Sequence, residues 1–136
     1  MERRTTLWIV IALSILILAM LGCGNSKLTS VSLSPNVADA QNFPGGQVQY
    51  AAMGTYSSSS KPVPLTNVTW CIGSATGGCN GNIAAAAFVS GNGLAQCLTG
   101  AVGTVTVIAG SGGRPPSNPD GGYQLAVFGT AQLTCP

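Results

Sequence analysis

From Val31 onward the apolar residues of this chain recur at every second position in short runs, and each run stops at a cluster of turn-forming residues. Successive side chains of a strand point to opposite faces, so such runs bury one face and wet the other, as antiparallel sheets packed in a sandwich require. Val31 and Leu33 alternate with Ser30, Ser32 and Ser34 before Pro35 ends the run. After Pro44-Gly45-Gly46, Val48, Tyr50 and Ala52 alternate with Gln47 and Gln49. Val68, Trp70 and Ile72 take one parity against Asn67, Thr69 and Cys71, and Val105, Val107 and Ala109 do the same against Thr104 and Thr106. The longest run sets Tyr123, Leu125, Val127, Ala131, Leu133 and Cys135 against Gln124, Thr130, Gln132 and Thr134. Residues 86–90 and 94–99 add two strands, and neither parity of the second is cleanly apolar, which predicts a bulge. The four alanines from Ala84 are too few to form a helix unaided. The pattern predicts an all-β sandwich of about seven strands, with Tyr50, Trp70, Val105, Val107 and Leu133 in one core.

The amino-terminal segment has a different character. Glu2, Arg3 and Arg4 precede an apolar run from Leu7 to Leu21 in which Ser14 is the clearly polar side chain. A helix over that run rises about 22 Å, short of the roughly 30 Å hydrocarbon core, so an exported signal helix fits better than a spanning anchor. The run ends in Met20-Leu21-Gly22-Cys23, which resembles the lipobox of bacterial lipoproteins. Gly22 and Cys23 match its most restrictive positions, and Met20 stands where leucine is most usual. The resemblance implies cleavage after Gly22 and acylation of Cys23, and Gly24, in place of an aspartate, implies the outer membrane. Two or three acyl chains, at about 0.8 kcal/mol per buried methylene, would hold a domain on a membrane. Residues 1–22 are thus expected to be a signal peptide, 23–29 a lipidated anchor and tether, and 30–136 one domain.

Composition narrows the chemistry. Five basic and three acidic residues make 6% of the chain, against about a quarter in ordinary soluble domains, and there is no histidine. A single glutamate, two aspartates and no imidazole leave few parts for acid–base, triad or transition-metal catalysis. No enzyme, cofactor or metal is expected; Asp39 and Asp120 alone do not suggest a calcium cage. A net charge of +2 cannot supply the basic stripe that nucleic acid needs.

Five pieces of the sequence, in order, resemble the bacterial immunoglobulin-like group 2 domain of adhesins and envelope proteins: Val31-Ser32-Leu33-Ser34-Pro35; residues 46–56 from Gly46-Gln47-Val48 to Tyr56; Val68-Thr69-Trp70; Gly93-Leu94; and Gly103-Thr104-Val105-Thr106-Val107. The resemblance spans about residues 28–134, and the cysteines and the insert at residues 110–122 depart from it. It implies an immunoglobulin-like sandwich with no catalytic residues. Trp70 then reads as the core tryptophan of the third strand.

Threading the strands in immunoglobulin order assigns each connection to an end. The amino terminus, the loop at residues 57–66, the turn at 90–93 and the loop at 110–122 share one end, held near the lipid by a tether that reaches at most about 20 Å. Lys27, Lys61 and Arg114 fall at that end, where head groups are expected to lie near them; Asp39 does not. Two functions fit: a structural, adhesive or protein- or glycan-binding module of the envelope, using a strand edge or the far end, or a small periplasmic inhibitor or ligand-binding protein using the 110–122 loop. With Cys23 acylated, four cysteines remain, and four allow three connectivities. In this threading Cys71 and Cys79 flank one loop, while Cys97 and Cys135 end strands at the far end. The expected pairs are Cys71–Cys79 and Cys97–Cys135, with Cys71–Cys97 plus Cys79–Cys135 as the alternative.

Overall fold

The computed structural model describes residues 26–81, 86–113 and 122–136. Residues 1–22, expected to be a signal peptide, and Cys23, Gly24 and Arg114 lie outside the described residues. Twelve strand segments follow in order: β1 Leu28–Ser34, β2 Val37–Asp39, β3 Gln47–Gln49, β4 Ala51–Tyr56, β5 Ser59–Pro64, β6 Thr69–Gly73, β7 Gly78–Cys79, β8 Ala87–Val89, β9 Leu94–Cys97, β10 Gly103–Ser111, β11 Tyr123–Gln124 and β12 Val127–Cys135. Two 3-10 turns, Ala40–Asn42 and Pro44–Gly46, join β2 to β3.

These segments form the two layers of an all-β sandwich. In the first layer β1 pairs with β4 and β3 pairs with β9, which pairs with β8. Since β3 and β4 run on through Tyr50, the layer reads β1, β3/β4, β9, β8. In the second, the order is β11-β7-β6-β10-β12-β2. With the short edge pieces set aside, the layers have the A-B-E-D and C-F-G orders of an immunoglobulin-type sandwich. The alternating runs account for the core. Val48, Tyr50 and Ala52 from the first layer meet Trp70, Ile72, Val107, Ala109, Ala131 and Leu133 from the second, and all are buried in one cluster. Val105 is partly buried against it. The expected five therefore pack together.

Four features depart from the expectation. The first run ends at Ser34, before Pro35, as expected, but the chain then crosses to the other layer and forms an unexpected short strand, β2, which pairs parallel to β12, Val37 opposite Gln132. Only Ala38 of β2 is buried, too little alternation to be read. Residues 57–66 are not a loop, because Ser59–Pro64 returns along β4 as β5, with Met53 opposite Pro64 and Tyr56 opposite Ser59. All six residues of β5 are exposed, so the hydrophobic pattern carried no sign of it. The insert expected from Gly110 begins later, since β10 runs to Ser111.

The longest run, finally, is two strands. β11 leaves the main ladder to pair with β7, and Leu125, whose amide donates to the Gly77 carbonyl at 3.1 Å, separates it from β12. Leu125 keeps the core parity but joins a second cluster, with Cys71, Cys79 and Ile108, against which Phe128 packs. Ile108, Cys71 and Phe128 stand on the opposite parity from Val107, Trp70 and Val127, which face the main core. The β7–β11 pair thus covers the outer face of the β6–β10–β12 sheet, and Cys71 is buried although it points away from the main core.

Candidate functional site

The end of the sandwich remote from Lys27 is built by three segments. The 3-10 turns between β2 and β3 are closed by the Phe43 amide on the Ala40 carbonyl at 3.2 Å and the Gly46 amide on the Phe43 carbonyl at 3.0 Å. Asp39 caps the first, its Oδ1 accepting from the Gln41 amide at 3.0 Å. The turn between β9 and β10 is closed by the Ala101 amide on the Leu98 carbonyl at 3.0 Å. Pro136, just past β12, completes the rim.

Beneath the rim a disulfide joins the two layers: Cys97 of β9 and Cys135 of β12 are bonded with Cα atoms 5.7 Å apart. Between the turns lies an open depression of about 380 Å³, lined chiefly by Phe43, Cys97, Leu98, Ala101 and Val102. Leu98 is 40% and Val102 75% exposed, and with Val37 and Val63 they are the large hydrophobic residues most open to solvent among the described residues. A wall of this kind offers a partner apolar burial, backbone hydrogen-bonding groups, the side-chain amide of Gln41 and the hydroxyl of Thr99. The sequence hid it because its apolar residues sit in a turn, where neither the strand nor the helix period applies; Leu98-Thr99-Gly100-Ala101-Val102 is its one legible trace.

A second depression, of about 460 Å³, opens on the side of the first layer, between Pro64 at the end of β5, with Leu65 after it, and Gly91 and Asn92 of the turn between β8 and β9. Trp70 and Tyr50 form its floor. Trp70 is 5% exposed, so it is a core residue and presents no stacking platform. Gln49 ties the turn to the strand beside it, its Nε2 donating to the Asn92 and Tyr50 carbonyls at 2.8 and 3.0 Å.

The remaining site residues separate by end. Lys27 and Lys61 are exposed at the end where β1 begins and β4 turns into β5, while Asp39 lies opposite Thr134 at the other. Cys71 and Cys79 are bonded, Cα atoms 5.6 Å apart, so both expected pairs form. The pairing follows from the faces. Cys71 points to the outer face under β7, whereas Cys135 points into the main core toward β9, and their side chains cannot meet across the sheet. No cluster of three or more histidine, cysteine, aspartate or glutamate side chains capable of holding a metal occurs among the described residues. Compared with protein-family models and with curated proteins, the chain matches none.

Proposed function

We propose that this chain is a lipid-anchored, non-catalytic module of the bacterial cell envelope, of the immunoglobulin-like group 2 kind, that holds a partner protein at the end of its sandwich remote from the membrane. The observation that carries the reading is the polarity of the domain. The tether enters where β1 begins, and Val102, the most exposed large apolar side chain among the described residues, rims the depression at the opposite end together with the half-exposed Leu98. A nine-residue strand such as β10 spans about 30 Å, so the anchored end and the apolar end stand well apart. The lining is mostly apolar, with Phe43 its one aromatic side chain and Gln41 and Thr99 its polar ones, which favours a protein partner over a glycan. Two disulfides accord with an exported domain. Cys23 carries the anchor, outer-membrane in a cell that has one.

Two experiments test this. A photoreactive side chain at Val102 should trap a discrete partner in intact cells, one at the exposed Gln132 should not, and Leu98→Asp should abolish the Val102 adduct. Equal labelling at both positions, or none at Val102, would overturn the binding end. Metabolic labelling with a clickable fatty acid should mark the wild-type chain, and a labelled Cys23→Ser chain would overturn the anchor.

A further inference from the structure

The β4–β5 hairpin is the element the sequence pattern did not show, and the main core does not account for it, since every residue of β5 faces solvent. Lys61, Pro62 and Pro64 blunt its outer edge, because prolines lack an amide donor and a lysine repels strand addition. Edge protection leaves two things unexplained. Val63 is 41% exposed on this same strand. Lys27 is also pinned to the hairpin, its amide donating to Ser57 Oγ at 3.0 Å and its carbonyl accepting from the Ser57 amide at 2.8 Å. Both described lysines therefore belong to or adjoin this hairpin, which also carries the exposed residues Ser57, Ser58, Ser59 and Ser60. Asp39, the one carboxylate side chain among the described residues, is at the far end.

Lys27 lies four positions after Cys23, a reach of at most about 14 Å. We infer that the β4–β5 hairpin is a second footing on the membrane: Lys27 and Lys61 engage anionic phospholipid head groups, the serine hydroxyls hydrogen-bond to them, and Val63 enters the interface beside them. The inference rests on the proposed anchor, which brings the hairpin to the bilayer. With only an acyl anchor the domain would swivel on its tether; with the hairpin down as well, the sandwich stands with its apolar end outward. Charge complementarity selects an anionic bilayer as the occupant of this surface rather than a protein.

The chain contains two lysines, so amine footprinting reads both without ambiguity. The full chain, purified from membranes, is reconstituted in phosphatidylcholine vesicles with and without phosphatidylglycerol, and acetylation at Lys27 and Lys61 is followed by mass spectrometry. Each lysine should react about fivefold more slowly on the anionic vesicles, the factor that corresponds to about 1 kcal/mol per basic residue. High salt should remove the protection, and Lys61→Glu should restore the reactivity of Lys27. Equal rates on both vesicles at low salt, or protection of Lys27 alone, would overturn the footing. The mass of the peptide carrying Cys23, read from the same sample, separates the two claims. An unacylated Cys23 with protected lysines overturns the anchor and keeps the footing, whereas an acylated Cys23 with reactive lysines does the reverse.

Discussion

Tyr50 joins the two layers by more than packing. The Gln132 amide donates to the Asn36 carbonyl, so the edge of β12 at this residue faces the crossing between β1 and β2, and the Tyr50 hydroxyl donates to the Gln132 carbonyl at 3.0 Å. The phenol thus hydrogen-bonds the backbone of β12 beside the crossing and links the two layers. Burial disfavours the phenolate and pushes the Tyr50 pKa up from 10 to about 12. The folded state therefore prefers the neutral form, and the stabilisation is complete below pH 10 and lost as pH rises from 10 through 12. Tyr50→Phe should cost about 1–2 kcal/mol at neutral pH, and the gap between wild type and variant should narrow between pH 10 and 12 in urea titrations. A gap that stays constant would mean that burial does not hold the phenol in its neutral form. Trp70 fills the space beside it, and Trp70→Ala should cost about 3–5 kcal/mol in the same measurement, a large part of a small domain's stability. Gly93 is bound to the same tryptophan. Its φ of +84° disfavours other residues, and an added Cβ would lie 2.6 Å from the Tyr50 carbonyl oxygen and 2.7 Å from the Trp70 ring.

Among the elements, legibility in the sequence tracked burial on one face. β3/β4, β6, β10 and β12 each bury alternate residues in the main core, and their parity placed Tyr50, Trp70, Val107 and Leu133 together. β5 buries nothing and could not be read; β2, β7 and β11 are two or three residues long, shorter than a period-2 pattern needs. Leu125 shows a different limit. Parity tells which residues share a face only while the strand keeps its neighbours, and between β11 and β12 the neighbours change. The candidate site was the least legible part, because Phe43, Leu98 and Val102 lie in turns brought together by the fold. The β7–β11 flap carries its own prediction. It covers Ile108 through two short ladders and the Cys71–Cys79 bond, whose eight-residue separation is worth about 2–3 kcal/mol on the chain-entropy account. Replacing both cysteines by alanine should lower stability by about that amount and speed amide exchange at Leu125, whose amide the flap binds, ahead of exchange in β10. Uniform acceleration through the sheet would show that flap and core open as one unit.

For the molecule as a whole, the decisive link is the one between layers at the proposed binding end. Apart from core packing, the first layer is tied to the second at its far end through Cys97–Cys135, which joins β9 to β12 directly beneath the depression. Residues 38 positions apart close a much longer loop than the flap disulfide does, so on the chain-entropy account this bond should contribute about 3–4 kcal/mol against about 2–3 for the other. Its position adds a consequence that the ledger of stability does not contain. Leu98 follows Cys97 directly and Pro136 follows Cys135, so the bond sets the distance between two walls of the proposed partner site. Replacing Cys97 and Cys135 by alanine should therefore do two things: lower the unfolding free energy by about 3–4 kcal/mol in denaturant titrations, and reduce crosslinking at Val102 under conditions where the variant is still folded. The Cys71–Cys79 double alanine variant is the matched control, since it loses a disulfide on the outer face and leaves both walls in place. If the two double variants lost Val102 crosslinking equally, the loss would follow global stability, and the disulfide would have no part in shaping the binding end.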